Sequence, residues 1–268
     1  NTIKITFSGA GFEEIKDNIE IALNSGNDVK YVLWGLDYNG LNREYDWQGY
    51  DEYPEYLYDD NLWNDVNYLY NKEILIGDLI PEIINTIKKV PPEHMDRQGI
   101  GNRSSGGKNR VLEQYERPVK EESVLDEDET KEYFSMLDRN LEQNVLSVVK
   151  NNPDVTFYLF FPPYSICWWD SINQYGQAVL ERRIALEKFA IEKILECENV
   201  KLFSFNNNFD LICDLNNYVD EAHYVDEIAS QILIWMKQGL GELTKYNYEE
   251  YIEEISAFYC NYDYESIF

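Results

Sequence analysis

The sequence predicts an α/β protein, a three-layer α/β/α domain around a parallel, flavodoxin-like sheet, spanning residues 1–268 as a single domain. Three observations predict it. β-rich runs alternate with segments whose apolar residues recur at the spacing of one helix face, the pattern of parallel strands joined by crossover helices. The run from Val155 to Phe161 is almost wholly apolar, as a strand covered on both faces should be. Finally, Gly9, Asp37, Pro162 and Asp220 fall just past predicted strands or in the loops that follow them, where ligand-handling loops converge in such sheets.

Taken in order, Ile3, Ile5 and Phe7 form a short strand that ends at Ser8-Gly9-Ala10-Gly11. Phe12, Ile15, Ile19 and Leu23 lie on one helix face, and Ser25-Gly26-Asn27 stops that helix. Val29 to Trp34 is the next strand, closing on Gly35-Leu36-Asp37. Strand, helix, strand at these spacings make a βαβ unit, which sets the two strands parallel. Residues 38–70 read as an insertion in which Tyr45, Trp47, Tyr50, Tyr53 and Trp63 are interleaved with acids, a long loop pinned to the body by its rings. A helix is predicted over 74–89. Residues 91–125 read as a mobile loop, rich in Pro, Gly, Ser and Asn at its start and locally basic. From Asp128 the helical pattern returns with Phe134, Leu137, Leu141, Val145 and Val148, until Pro153 breaks it. The apolar strand 155–161 is closed by Pro162-Pro163, and a loop carrying Trp168 and Trp169 follows. A long helix over 175–197 and a strand over 200–205 come next. A helix after Tyr224 is expected to turn Val225, Ile228, Ile232, Leu233 and Met236 inward, and a last one runs near 251–258.

Composition limits the function classes. Hydrophobic residues at 44% and aromatics at 15% belong to a folded chain. Lys+Arg 23 against Asp+Glu 50 gives a net charge of −27, which repels phosphate backbones and excludes nucleic acid as a partner. The four cysteines show neither CxxC nor metal-ligand spacing, and His94 has no Cys or second His beside it. No metal and no cofactor is therefore expected. No apolar run reaches the length of a membrane span. The chain opens on Asn1, not Met, and enters a strand at once, so an upstream segment is expected.

The chemistry concentrates in Asn216-Asn217-Tyr218-Val219-Asp220-Glu221-Ala222-His223-Tyr224. Histidine alone has an unperturbed pKa near neutrality, and a carboxylate three residues earlier can fix its tautomer. Asp220 and His223 are thus the candidate acid and base, on the same sheet edge as the turns at Gly9 and Gly35.

These residues resemble the SGNH (GDSL-like) hydrolase superfamily of esterases, lipases and carbohydrate O-acyltransferases. Ser8-Gly9 resembles the block whose glycine N–H helps form the oxyanion hole. Gly35-Leu36-Asp37 stands where the family has Gly-x-Asn, the second oxyanion donor, and Asp220-Glu221-Ala222-His223 matches its Asp-x-x-His block. The texture is most like the membrane-anchored bacterial cell-surface branch. The resemblance implies acyl transfer from or to envelope carbohydrate, an anchor outside this chain, and work outside the cytoplasm. The family's nucleophilic serine block and its strand do not occur after Asn1, so the serine is expected upstream and this chain alone should be inactive. Ser8 is the fallback nucleophile. Asp37 in place of Asn removes a donor, and loss of one such donor costs roughly 3–4 kcal/mol. Two other readings stand beside this one: a catalytically degenerate fold that binds glycans through the aromatic insertion, and a dinucleotide-binding enzyme built on Gly9-Ala10-Gly11 and Asp37.

Overall fold

The computed structural model describes residues 9–48, 61, 63–64, 66, 80–88, 106–121 and 126–268. The chain divides into two compact units, residues 1–10 with 48–101 and residues 11–47 with 102–268. The strand expected over Ile3 to Phe7 and most of the aromatic stretch after Gln48 lie outside the described residues.

Helix α1 (Phe12–Asn24) opens the larger unit. Glu13 and Glu14 stand in its first turn, favourable against the positive end of the helix dipole, and Glu14 Oε2 accepts the Gly11 N–H at 2.5 Å. Phe12 is buried and stacks on Trp34 of β1 (Tyr31–Gly35), ring centroids 5.8 Å apart. Asp37 caps the short α2 (Tyr38–Leu41), its Oδ1 accepting the Gly40 N–H at 2.6 Å. In the smaller unit α3 (Ile80–Ile87) falls inside the helix expected over 74–89.

Within the stretch expected as a loop, α4 (Lys108–Gln114) forms and seals Val111 into the core. Helix α5 (Glu127–Asn140) runs through a π-turn at Leu141–Leu146 into α6 (Ser147–Asn151), which stops just before Pro153. Around that π-turn the buried Asn140 and Asn144 face the segment after α2. The Asn140 amide reaches the carbonyls of Gly40, Leu41 and Arg43 at 3.0–3.3 Å, and Asn144 donates to the Tyr45 carbonyl at 2.6 Å. Backbone carbonyls therefore help fasten the start of the insertion, because two buried amides need acceptors and this loop supplies them, while the Tyr38 ring packs edge-on against Trp168.

Strand β2 (Thr156–Phe161) follows, and the segment expected as a tryptophan-bearing loop contains helix α7 (Ile166–Gln174). It forms because Cys167, Trp168 and Trp169 all find burial; Trp169 stacks on Tyr259 at 3.8 Å. Next come α8 (Gln177–Ile194), β3 (Val200–Ser204), α9 (Phe209–Cys213) and α10 (Asp226–Lys237). The two-residue β4 (Glu242–Leu243) and α11 (Tyr248–Tyr259) complete the order.

Among the described residues the result is an α/β fold with a four-strand sheet, β1-β2-β3-β4, flanked by helices. The first three strands are parallel, with Trp34 opposite Leu159 and Leu159 opposite Leu202. β4 runs antiparallel, pairing Leu243 with Leu202, a departure from the all-parallel expectation. Gly239 and Gly241, at φ 75° and 76°, turn the chain straight back after α10, leaving no crossover to make β4 parallel.

β2 alternates instead of being evenly buried: Phe157, Leu159 and Phe161 enter the main core, while Tyr158 and Phe160 pack against Phe203, Phe205, Ile232 and Met236 on the other face. Helix α10 supplies Ile232 and Met236 to that second cluster, but Leu233, expected to face inward, is exposed. No helix among the described residues is long and apolar enough to cross a membrane.

Candidate active site

The Asp-x-x-His turn forms because Asp220 satisfies its own loop. Its Oδ1 accepts the backbone N–H of Ala222 at 2.9 Å and of His223 at 2.8 Å, and His223 Nδ1 lies 2.9 and 2.8 Å from the two carboxylate oxygens. Burial pushes the Asp220 carboxyl up, but the bonds from the His223 ring, the His223 N–H and the Ala222 N–H outweigh it and hold the group down at about 2. An ionised carboxylate only accepts, so Nδ1 must be the donor and the lone pair of the neutral ring sits on Nε2. The imidazole side chain is 52% exposed, with Asp220 at 35%.

Neighbouring loops clamp this turn. The Val219 N–H donates to the His223 carbonyl at 2.8 Å. The fully buried Tyr218 donates its hydroxyl to the Pro163 carbonyl at 3.1 Å. Ser165, just past β2, donates both its N–H (3.1 Å) and its hydroxyl (2.7 Å) to the Glu221 carbonyl. On the other side the Gly107 N–H donates to the Tyr218 carbonyl at 2.9 Å, and a Cβ on Gly106 would stand 2.4 Å from that oxygen, so only glycine fits there.

Asp37 belongs to the same edge. Besides capping α2, its Oδ2 accepts the hydroxyl of Tyr164, the residue before Ser165. Burial and the Asp37 carboxylate raise the Tyr164 phenol well above its ordinary range, so it stays a donor. Both Asp37 oxygens thus accept hydrogen bonds, and neither offers one to an oxyanion. Gly9 is described, at φ 71°, but belongs to the smaller unit, while Asp37, Asp220 and His223 share the larger. Ser8 and His94 lie outside the described residues. Among the described residues no hydroxyl is hydrogen-bonded to the imidazole.

Beside the turn opens a cleft of about 540 Å³. Glu221 and Ala222 reach it from the turn, Tyr38 and Arg43 from the segment after β1, Trp168 from α7, and Arg182 and Arg183 from α8. Sequence reading missed Tyr164, Ser165 and these arginines. The available signals were the polar Tyr164-Ser165 directly after the Pro162-Pro163 that closes an apolar strand, and an Arg-Arg pair in a strongly acidic chain.

Comparison with protein-family models, with curated proteins and with solved structures found no match for this chain.

Proposed function

We propose that the protein is an SGNH-type hydrolase or O-acyltransferase acting on acyl esters of envelope carbohydrate or polymer, outside the cytoplasm. The observation that supports this most is the grip of the ionised Asp220 on His223 Nδ1, which leaves Nε2 as the base at the carboxyl edge of a largely parallel sheet. The sequential parallel order of β1, β2 and β3 also suits the later half of a flavodoxin-like 2-1-3-4-5 sheet. In this mechanism Nε2 takes the proton of a serine hydroxyl as that oxygen attacks the ester carbonyl. Asp220 stabilises the imidazolium that forms, and the acyl-serine then passes its acyl group to water or to a sugar hydroxyl. The reading requires a serine outside the described residues, ahead of Asn1 by resemblance, with Ser8 in reserve, and the oxyanion donor that the resemblance implies is the Gly9 N–H.

The test is turnover of 4-nitrophenyl acetate by the full-length protein. His223→Ala should lower kcat by roughly 10²–10⁴-fold, the usual contribution of a positioned general base. Absence of turnover across several acyl esters sinks the reading.

A second reading, a catalytically degenerate fold that binds glycans, draws support from Asp37, whose two accepted bonds make it a poor oxyanion donor. It predicts glycan binding that survives His223→Ala. The dinucleotide reading loses ground: Glu14 fills the helix N-terminus where a pyrophosphate would sit, and Gly11 is explained by the Trp47 carbonyl, 2.1 Å from where its Cβ would be.

A further inference from the structure

Three of the chain's eight arginines, Arg43, Arg182 and Arg183, line one cleft of a protein whose net charge is −27. Such clustering raises the local potential in a molecule whose overall field is negative. Each guanidinium is held against a ring. Arg43 lies 3.8 Å from the Trp47 centroid, Arg182 4.1 Å from Tyr133 and Arg183 3.2 Å from Tyr38.

Carboxylates meet two of the three and leave the third open. Arg43 has no carboxylate within ion-pair distance among the described residues. Among the described residues Arg182 has only Glu129, at 3.2 Å, and its side chain is 9% exposed. Arg183 is 4% exposed; its Nη1 stands 2.9 Å from Glu187 Oε2, close enough to pair the charges but off hydrogen-bond geometry. Its Nε and Nη1 thus lack a hydrogen-bonded acceptor. Glu187 already accepts from Asn206 and Tyr251, so it is shared. Among the described residues the one carboxylate on the cleft wall is Glu221.

We propose that this cleft is a binding site for a small ligand carrying a carboxylate or phosphate group, with Arg43 and Arg182 as its direct contacts. Arg183 is the buried charge behind the Tyr38 ring, and Tyr38 and Trp168 offer flat apolar walls to the rest of the ligand. Guanidinium groups suit this task because their fork of N–H donors matches the two oxygens of such anions. The proposal does not depend on His223 being catalytic.

The experiment is isothermal titration calorimetry at low salt with inorganic phosphate and with glucuronate, glucose serving as the neutral control. Wild type should bind both anions saturably at millimolar concentration and glucose at least tenfold more weakly. Arg43→Gln and Arg182→Gln should each weaken anion binding by at least about tenfold, the equivalent of one charge-assisted hydrogen bond. Both arginines are tied to exposed or half-exposed partners, and circular dichroism checks that the variants fold. His223→Ala should leave the affinity unchanged, which separates this site from the acyl-transfer reading. Failure of wild type to bind either anion, equal binding of glucose, or binding untouched by both Arg variants each overturns the proposal.

Discussion

At the scale of single residues the site turns on protonation. The Asp220 carboxyl is held at about 2 in the fold, against about 3.9 when unfolded. A depressed carboxyl contributes stability above its unfolded value and loses it as pH falls towards the folded one. The turn should therefore survive to about pH 3–4 and come apart between there and about pH 2, followed by the ring resonances of His223 in an NMR titration. Loss of the ring–carboxylate contact already at pH 5 would contradict this. Asp220→Asn tests the same bond by replacing an acceptor-only group with one that also tolerates the wrong tautomer. Under the proposed acyl-transfer mechanism it should lower kcat far more than KM, by roughly 10⁴-fold, the loss a wrong tautomer causes in a Ser-His-Asp triad. The Asp220–His223 pair was legible in the sequence because both ends of the contact lie within one turn. Tyr164 and Ser165 were not, since the groups they meet lie far away along the chain, and the cleft arginines were not because only the fold brings Arg43 beside Arg182 and Arg183.

At the scale of elements, helices with a clear apolar stripe were readable, and errors came where burial overrode local pattern. Helix α7 follows Pro162-Pro163 and looked like a loop; the partners that bury Trp169, Tyr259 among them, come from the other end of the chain. The parallel core of the sheet was readable, but β4 was not, because it is too short to carry a periodicity of its own and owes its direction to two glycine turns. The π-turn after α5 was invisible for a similar reason: its asparagines take their meaning from the carbonyls of Gly40 to Tyr45. Asn144→Ala should strand the Tyr45 carbonyl and cost about 1–3 kcal/mol, read by urea denaturation. A loss below a few tenths would show that this amide does not fasten the loop.

At the scale of the whole molecule, composition announced a folded, strongly acidic chain, and many of its aromatic residues pack into the two clusters on opposite sheet faces. Charge of −27 makes the folded surface repel itself, so added salt should raise Tm at neutral pH, by about 2–4 °C for each kcal/mol of repulsion screened. A Tm that is flat or falling between low and moderate sodium chloride would mean the acids are already balanced locally. Because Ser165 holds the Glu221 carbonyl with both its N–H and its hydroxyl, the imidazole is surveyed into place from a strand other than the one that leads to it. If the ring is the base proposed above, its aim rests on this serine, and drift in the central strand would blur that aim while leaving every side chain of the histidine's own loop intact.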